Sequence, residues 1–115
     1  MEEKRALLKR YFGYAAFRGG QEALIDAILS GRDVLGVMPT GGGKSVCYQL
    51  PALLLPGLTV VVSPLISLMK DQVAALTEAG IPAAFLNSSL SFEQLRSTYA
   101  KASAGQYKLL YVAPE

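Results

Sequence analysis

The residues Thr40-Gly41-Gly42-Gly43-Lys44-Ser45 follow an apolar stretch, Asp33-Val34-Leu35-Gly36-Val37-Met38, and their types suit the holding of phosphate. Three consecutive glycines let the backbone turn tightly and come close to a ligand, so that amide hydrogens converge on phosphate oxygens where a helix begins. Lys44 adds a mobile point charge for the β- and γ-phosphates. Ser45 adds a hydroxyl that, in this kind of loop, ligates the magnesium ion bridging the same two phosphates. A nucleoside triphosphate with Mg2+ is therefore the first ligand to consider, with Lys44 and Ser45 as the catalytic candidates and Ser45 as the metal ligand. The general pattern G-x-x-x-x-G-K-[ST] has glycine where this chain has Met38, so the loop is a variant. The plainer reading is a glycine turn with a solvated Lys44.

The elements around this loop must position it. Leu7, Leu8, Tyr11 and Phe12 share one helical face, with Lys4, Arg5, Lys9 and Arg10 largely elsewhere, which predicts a short amphipathic helix ended by Gly13. A second helix is expected from Gln21 to Leu29, burying Leu24, Ile25 and Ile28, with Gly31 as its left-handed stop. Residues 33–38 read as the first strand. A helix follows from Lys44, which Pro51 kinks or divides, and Gly57 closes it. Thr59 to Ser63 reads as a strand buried on both faces, and Ser67 as the cap of a helix from Leu68 to Ala79. Ala83 to Leu86 is a short strand, and Ser91 to Gln94 has capping-box spacing for a helix to Ala102. Lys108 to Val112 is a further strand. Strands alternating with helices, without hairpin signals, predict a parallel sheet covered on both faces, with ligands at the carboxyl ends of its strands.

Whole-chain properties set bounds on this reading. The 115 residues allow one compact domain, and 51% hydrophobic with 17% charged residues is the composition of a globular protein, not of a disordered one. A net charge of +2 means that any affinity for nucleic acid has to come from local placement of Lys and Arg. The lone Cys47 has no partner for an internal disulfide and histidine is absent, which favours a packing role in a reducing compartment over metal or redox chemistry. No apolar run suggests a signal peptide or a membrane span, so no membrane partner and a cytoplasmic location are expected.

Several segments together resemble the first motor domain of a superfamily 2 helicase, and closely the RecQ family of ATP-dependent DNA helicases. Phe12-Gly13-Tyr14, Phe17-Arg18 and Gln21 are similar to that family's adenine-recognition motif. Met38-Pro39-Thr40-Gly41-Gly42-Gly43-Lys44-Ser45 is similar to its motif I, where Met38 is expected. Val62-Ser63-Pro64-Leu65-Ile66-Ser67-Leu68-Met69-Lys70-Asp71-Gln72 resembles motif Ia, and Leu110-Tyr111-Val112-Ala113-Pro114-Glu115 a signature just before motif II.

The resemblance implies a P-loop NTPase (RecA-like) α/β fold and a set of site residues. Tyr14, Arg18 and Gln21 would meet adenine, while Pro39, Thr40, Gly41, Gly42, Gly43, Lys44 and Ser45 would meet the phosphates. Ser63, Leu65, Ser67 and Lys70 would meet single-stranded DNA. A glutamine amide can pair with the N6 and N7 edge of adenine and reject guanine, which offers two acceptors there. Tyr14 could stack on the base and Arg18 could assist as a planar cation. Gly19 stands where the family commonly has proline to start the helix.

The same resemblance implies ATP and Mg2+ as cofactors, single-stranded and partly duplex DNA as partners, 3′ to 5′ polarity, roles in recombination and repair, and the bacterial cytosol or nucleoid as location. It places residues 1–115 as the N-terminal part of the first motor domain, lacking motif II onward and depending on the remainder of the helicase chain. The carboxylate that would hold magnesium and a water-positioning group are not identifiable in these residues. RecA-like sheets set the later strands beside the phosphate-loop strand, so an incomplete sheet with an unpaired strand is expected, and an isolated chain that is marginal, aggregation-prone and inactive as an ATPase. Two rival functions remain open. A small-molecule phosphotransferase would use the same loop without DNA, and a non-enzymatic nucleotide-binding remnant would hold nucleotide without turnover.

Overall fold

The computed structural model describes residues 2–36 and 44–113. The chain divides into two compact units, Met1–Pro56 and Gly57–Glu115. The loop residues Pro39, Thr40, Gly41, Gly42 and Gly43, the side chain of Lys44, and Pro114 and Glu115 lie outside the described part.

The first unit is helical. Helix α1, Glu2–Leu7, runs into a wider π-helical turn, Leu8–Phe12, and Gly13 ends it in the left-handed conformation with φ 78°. Helix α2 spans Gln21–Leu29 and α3 spans Lys44–Leu54. The expected faces come together, as Leu8, Ile25, Val46 and Leu50 form the buried cluster and Leu7, Phe12, Phe17, Leu29 and Leu54 pack against it. Each fully buried aliphatic side chain there stabilises the unit by about 1.5–3 kcal/mol relative to exposure. Ile25 is wholly buried, whereas Leu24 and Ile28 are only half-buried.

Three expectations for this unit are corrected. Of the kink or division expected at Pro51, the division does not occur. Helix α3 continues to Leu54, Pro51 is buried, and its carbonyl accepts from the Leu55 amide at 2.9 Å. Burial of the ring offsets the hydrogen bond that proline cannot donate. Lys4 does not lie on the solvent side but is buried against α2. Residues 33–36, the described part of the expected first strand, form no strand; Leu35 is 91% exposed, and Leu24, Val34, Gly36 and Cys47 border a hollow of about 460 Å³. A strand exists only where a neighbour completes its hydrogen bonds, and among the described residues this segment has none.

The second unit is a three-stranded parallel sheet in the order β1-β3-β2, with β1 at Thr59–Val62, β2 at Ala83–Leu86 and β3 at Leu109–Val112. Helices α4, Ile66–Glu78, and α5, Phe92–Ser103, form the crossovers and both pack on β2. The register sets Val62 and Leu86 on either side of Val112. Leu109, Leu110 and Tyr111 of the central strand are buried with Met69, Leu76 and Ile81. The edge strand β1 is not buried on both faces as its β-branched run predicts. Val60 is 52% and Val62 67% exposed on the face alternating with the half-buried Thr59 and Val61, and β1 pairs with β3 alone among the described strands.

The capping expectations divide. Ser91 makes the full capping box, accepting from the Gln94 amide at 3.2 Å while its own amide donates to the Gln94 side chain at 2.9 Å. Ser67 is no cap, because α4 starts earlier, at Ile66 after Leu65. The Ser63 hydroxyl accepts from the Leu65 amide at 3.2 Å, and that local turn launches the helix in its place. Replacing Ser91 with alanine is accordingly expected to lower unfolding free energy by about 1 kcal/mol. Ser67→Ala should change it by only a few tenths. Chemical denaturation of the two variants side by side checks the pair.

Candidate functional site

The first unit places Tyr14, Arg18 and Gln21 around one crevice. Gln21 is the first residue of α2 and is buried, while Tyr14 is 52% exposed. The Gln21 amide donates to the Arg18 carbonyl at 3.0 Å, and the Arg18 amide donates to Oε1 of Gln21 at 2.8 Å. The pair of bonds closes the turn Arg18-Gly19-Gly20-Gln21 and fixes the glutamine side chain in it. Gly19 is not the first helical residue, as the resemblance implied. It precedes the N-cap Gly20 and has φ 50°, a conformation closed to proline, whose φ is locked near −65°. The crevice lined by Tyr14, Ala16, Arg18 and Gln21 holds about 20 Å³, the room of at most one water molecule. A purine could lie over its mouth against the exposed Tyr14 ring, not inside it.

Helix α3 supplies the other half of this unit's chemistry. Its first turn holds Lys44 and the half-buried Ser45 and has no acidic residue. A helix of 11 residues with such a start presents amide hydrogens and the positive end of its dipole to an anion. Ser45 fits one magnesium position. No group of three His, Cys, Asp or Glu that could hold a metal occurs among the described residues; a magnesium ion on phosphates keeps several waters and takes one or two carboxylates besides, so Ser45 would be one part of the protein's share. Cys47 is buried one turn on, and burial pushes its thiol above the ordinary value of 9.0.

In the second unit the candidate nucleic-acid residues gather at the carboxyl end of the sheet and the start of α4. Ser63 follows β1 and is half-buried, Leu65 is 56% exposed, and Ser67 and Lys70 are exposed on the first turns of α4. The neighbouring strand ends, Asn87 and Ala113, belong to the same rim, since the Ser63 amide bonds to Val112 at 3.0 Å and the Ala113 amide to Leu86 at 3.2 Å. Asn87 has a structural part at this rim. Asn87 is buried, accepts from the Ser89 amide at 2.8 Å and donates to Sδ of Met69 at 3.5 Å, tying the rim to α4. An asparagine just past a strand was the available signal.

An open parallel sheet, together with a glycine-rich run leading into a helix, defines the P-loop class of α/β nucleotide-binding proteins. The profile of the DEAD/DEAH box helicase family matches residues 18–115, and the chain belongs to that family. It is 59% identical over 110 residues to the ATP-dependent DNA helicase RecQ of Haemophilus influenzae, covering 96% of this chain and 18% of that protein. It is 50% identical over 116 residues to the RecQ helicase of Bacillus subtilis, covering 100% of this chain and 20% of that one. The chain thus spans about a fifth of the length of these relatives. Among solved structures, a hypothetical ATP-dependent RNA helicase from Sulfolobus tokodaii superposes with a TM-score of 0.78 at 22% identity, over 99% of this chain and 34% of that one, which shows the fold. No helix among the described residues is long and apolar enough to cross a membrane.

The raised Cys47 pKa has a consequence with a definite sign. The unfolded thiol ionises from about pH 9.0, before the buried one, so stability is present below that pH and falls as pH rises through it. At pH 7.5 a soluble disulfide reagent is expected to label Cys47 at least about tenfold more slowly than free cysteine. Urea should bring the two rates together, and labelling at the free-cysteine rate without urea would contradict the burial.

Proposed function

We propose that this chain is the ATP-binding part of an ATP-dependent DNA helicase of the RecQ type, which hydrolyses ATP to move 3′ to 5′ along single-stranded DNA and separate duplexes in recombination and repair. One observation carries the reading: a glutamine held at the start of a helix beside an exposed tyrosine, in the same unit as a phosphate-loop helix. A small-molecule phosphotransferase leaves the Ser63 and Gln21 segments unexplained, and a non-enzymatic remnant would hold nucleotide in the same way but without turnover.

On this reading the residues divide the nucleotide between them. Gln21 reads the adenine edge. Its Oε1 accepts from the Arg18 amide at 2.8 Å, and an amide oxygen carries two lone pairs. Tyr14 offers its exposed ring for stacking, and Arg18 lies near the base or phosphates. Pro39, Thr40, Gly41, Gly42 and Gly43 shape the loop, Lys44 neutralises the β- and γ-phosphates, and Ser45 ligates magnesium. A magnesium ion, held in part by Ser45, would offset negative charge developing on the phosphates. Ser63, Leu65, Ser67 and Lys70 would follow the backbone of single-stranded DNA, contacts that carry no sequence information and weaken with salt. The cytosol or nucleoid is the compartment that fits such a substrate, and the remainder of the helicase would supply the carboxylate and arginine groups of hydrolysis.

In the natural full-length protein, Lys44→Ala is expected to cut DNA-stimulated ATP turnover by about a hundred- to a thousandfold. DNA affinity should change little, and retained turnover would sink the assignment. Lys70→Ala should weaken single-stranded DNA uniformly across sequences and make the slope of log K against log salt shallower by about 0.7. An unchanged slope in a binding titration at several salt concentrations would remove Lys70 from the interface.

A further inference from the structure

Lys4 is a buried cation that the reading above leaves without a task. Its side chain is only 3% exposed, and lysine is rarely so buried unless paired. Its ammonium donates to Asp26 and lies 3.0 Å from Oε2 of Glu22, with Arg5 approaching the same Glu22 oxygen at 3.9 Å. Hydrogen bonds donated to Asp26 and then to Glu22 hold the ammonium above the ordinary value of 10.5, so it is charged throughout the physiological range. Both carboxylates belong to α2. Glu22 directly follows Gln21, and Asp26 lies one turn further on.

This arrangement joins the two stems of one loop. The chain leaves α1 through the wide turn at Leu8–Phe12, passes Gly13 and Tyr14, and returns as α2 at Gln21. Everything that lines the crevice, Tyr14, Ala16, Arg18 and Gln21, lies in or at the end of that loop. Apolar packing of Leu8 and Ile25 in one cluster with Val46 and Leu50 holds the stems together but fixes their relative slide and rotation poorly, since aliphatic contacts are non-directional. A cation shared by two carboxylates one turn apart fixes both. We infer that Lys4 is a positioning residue for adenine recognition, setting the slide of α2 on α1 and through it the placement of the Gln21 amide opposite Tyr14.

The inference rests on the adenine reading of Gln21, and the test separates the two. Steady-state ATPase of the natural full-length protein is measured with DNA, with ATP and with GTP, for the wild type and for Lys4→Met, Lys4→Arg, Gln21→Ala and the double variant. Methionine retains an apolar stem for packing and removes the charge. Lys4→Met is expected to raise KM for ATP about tenfold with kcat within about twofold and KM for GTP little changed. Lys4→Arg should recover most of the ATP preference, and in the Gln21→Ala background Lys4→Met should lower it no further. If the wild type does not prefer ATP, the adenine reading fails and takes the inference with it. If the wild type prefers ATP and Lys4→Met keeps that preference, or lowers it equally without Gln21, the inference alone is overturned. Should Lys4→Met not fold, Asp26→Asn removes one partner from a half-exposed position. A smaller loss of ATP preference then supports the inference, and an unchanged preference overturns it.

Discussion

The second unit depends on the completion of a parallel hydrogen-bond ladder. Parallel strands cannot be joined by tight turns, so each must wait for a crossover, and the strand that completes this sheet comes last. Strand β3 bonds on one side to β1, fifty residues earlier, and on the other to β2. Without Leu109–Val112 neither outer strand has a neighbour among the described residues. Closing loops of that length costs entropy before any contact compensates. The burial of Leu109, Leu110 and Tyr111 with Met69, Leu76 and Ile81 is the compensation. The same ladder sets Ser63, Asn87 and Ala113 at one end of the sheet, so the rim follows from the pairing and not from the loops themselves.

That constraint also separates what the sequence could tell from what it could not. Elements whose cause is local were legible. The bounds of α2 and β2, the capping box at Ser91, and the glycine stops at Gly13 and Gly31 all follow from residues within a turn of the feature. Features that need a distant partner were misread. The apolar run before the glycine loop has strand composition, yet residues 33–36 have no ladder among the described residues. The β-branched run at 59–62 is half-buried on one face and exposed on the other, and its composition says nothing about which faces another layer covers. Pro51 breaks a helix in isolation and is tolerated where its ring is buried.

The site was legible in its residue types and less so in its geometry. The family resemblance carried by the spacing of Phe12, Gly13, Tyr14, Phe17, Arg18 and Gln21 set Tyr14, Arg18 and Gln21 at one site, and those three do line one crevice. Nothing in that spacing told that Gln21 would spend a lone pair on the Arg18 amide, or that the space between them would hold no more than a water. Lys4 was assigned to solvent because a lysine off the apolar face normally is. Its two carboxylate partners lie 18 and 22 positions away, beyond the reach of any helical periodicity.

The double use of Gln21 bears on how the base would be read. A free glutamine side chain samples several rotamers, and ordering it on binding costs about 0.5–1.5 kcal/mol. Here the Arg18 amide holds Oε1 at 2.8 Å before any ligand arrives, and the Gln21 amide closes the same turn from the other side. The ordering is therefore complete in the folded chain. It depends on the turn's backbone, which needs a positive φ at Gly19. A residue that seems only to have lost the family's proline thus permits the turn that holds Gln21. In this chain the Gln21 side chain and the Arg18-Gly19-Gly20-Gln21 turn form one structural unit, and a side chain at position 19 would strain both together.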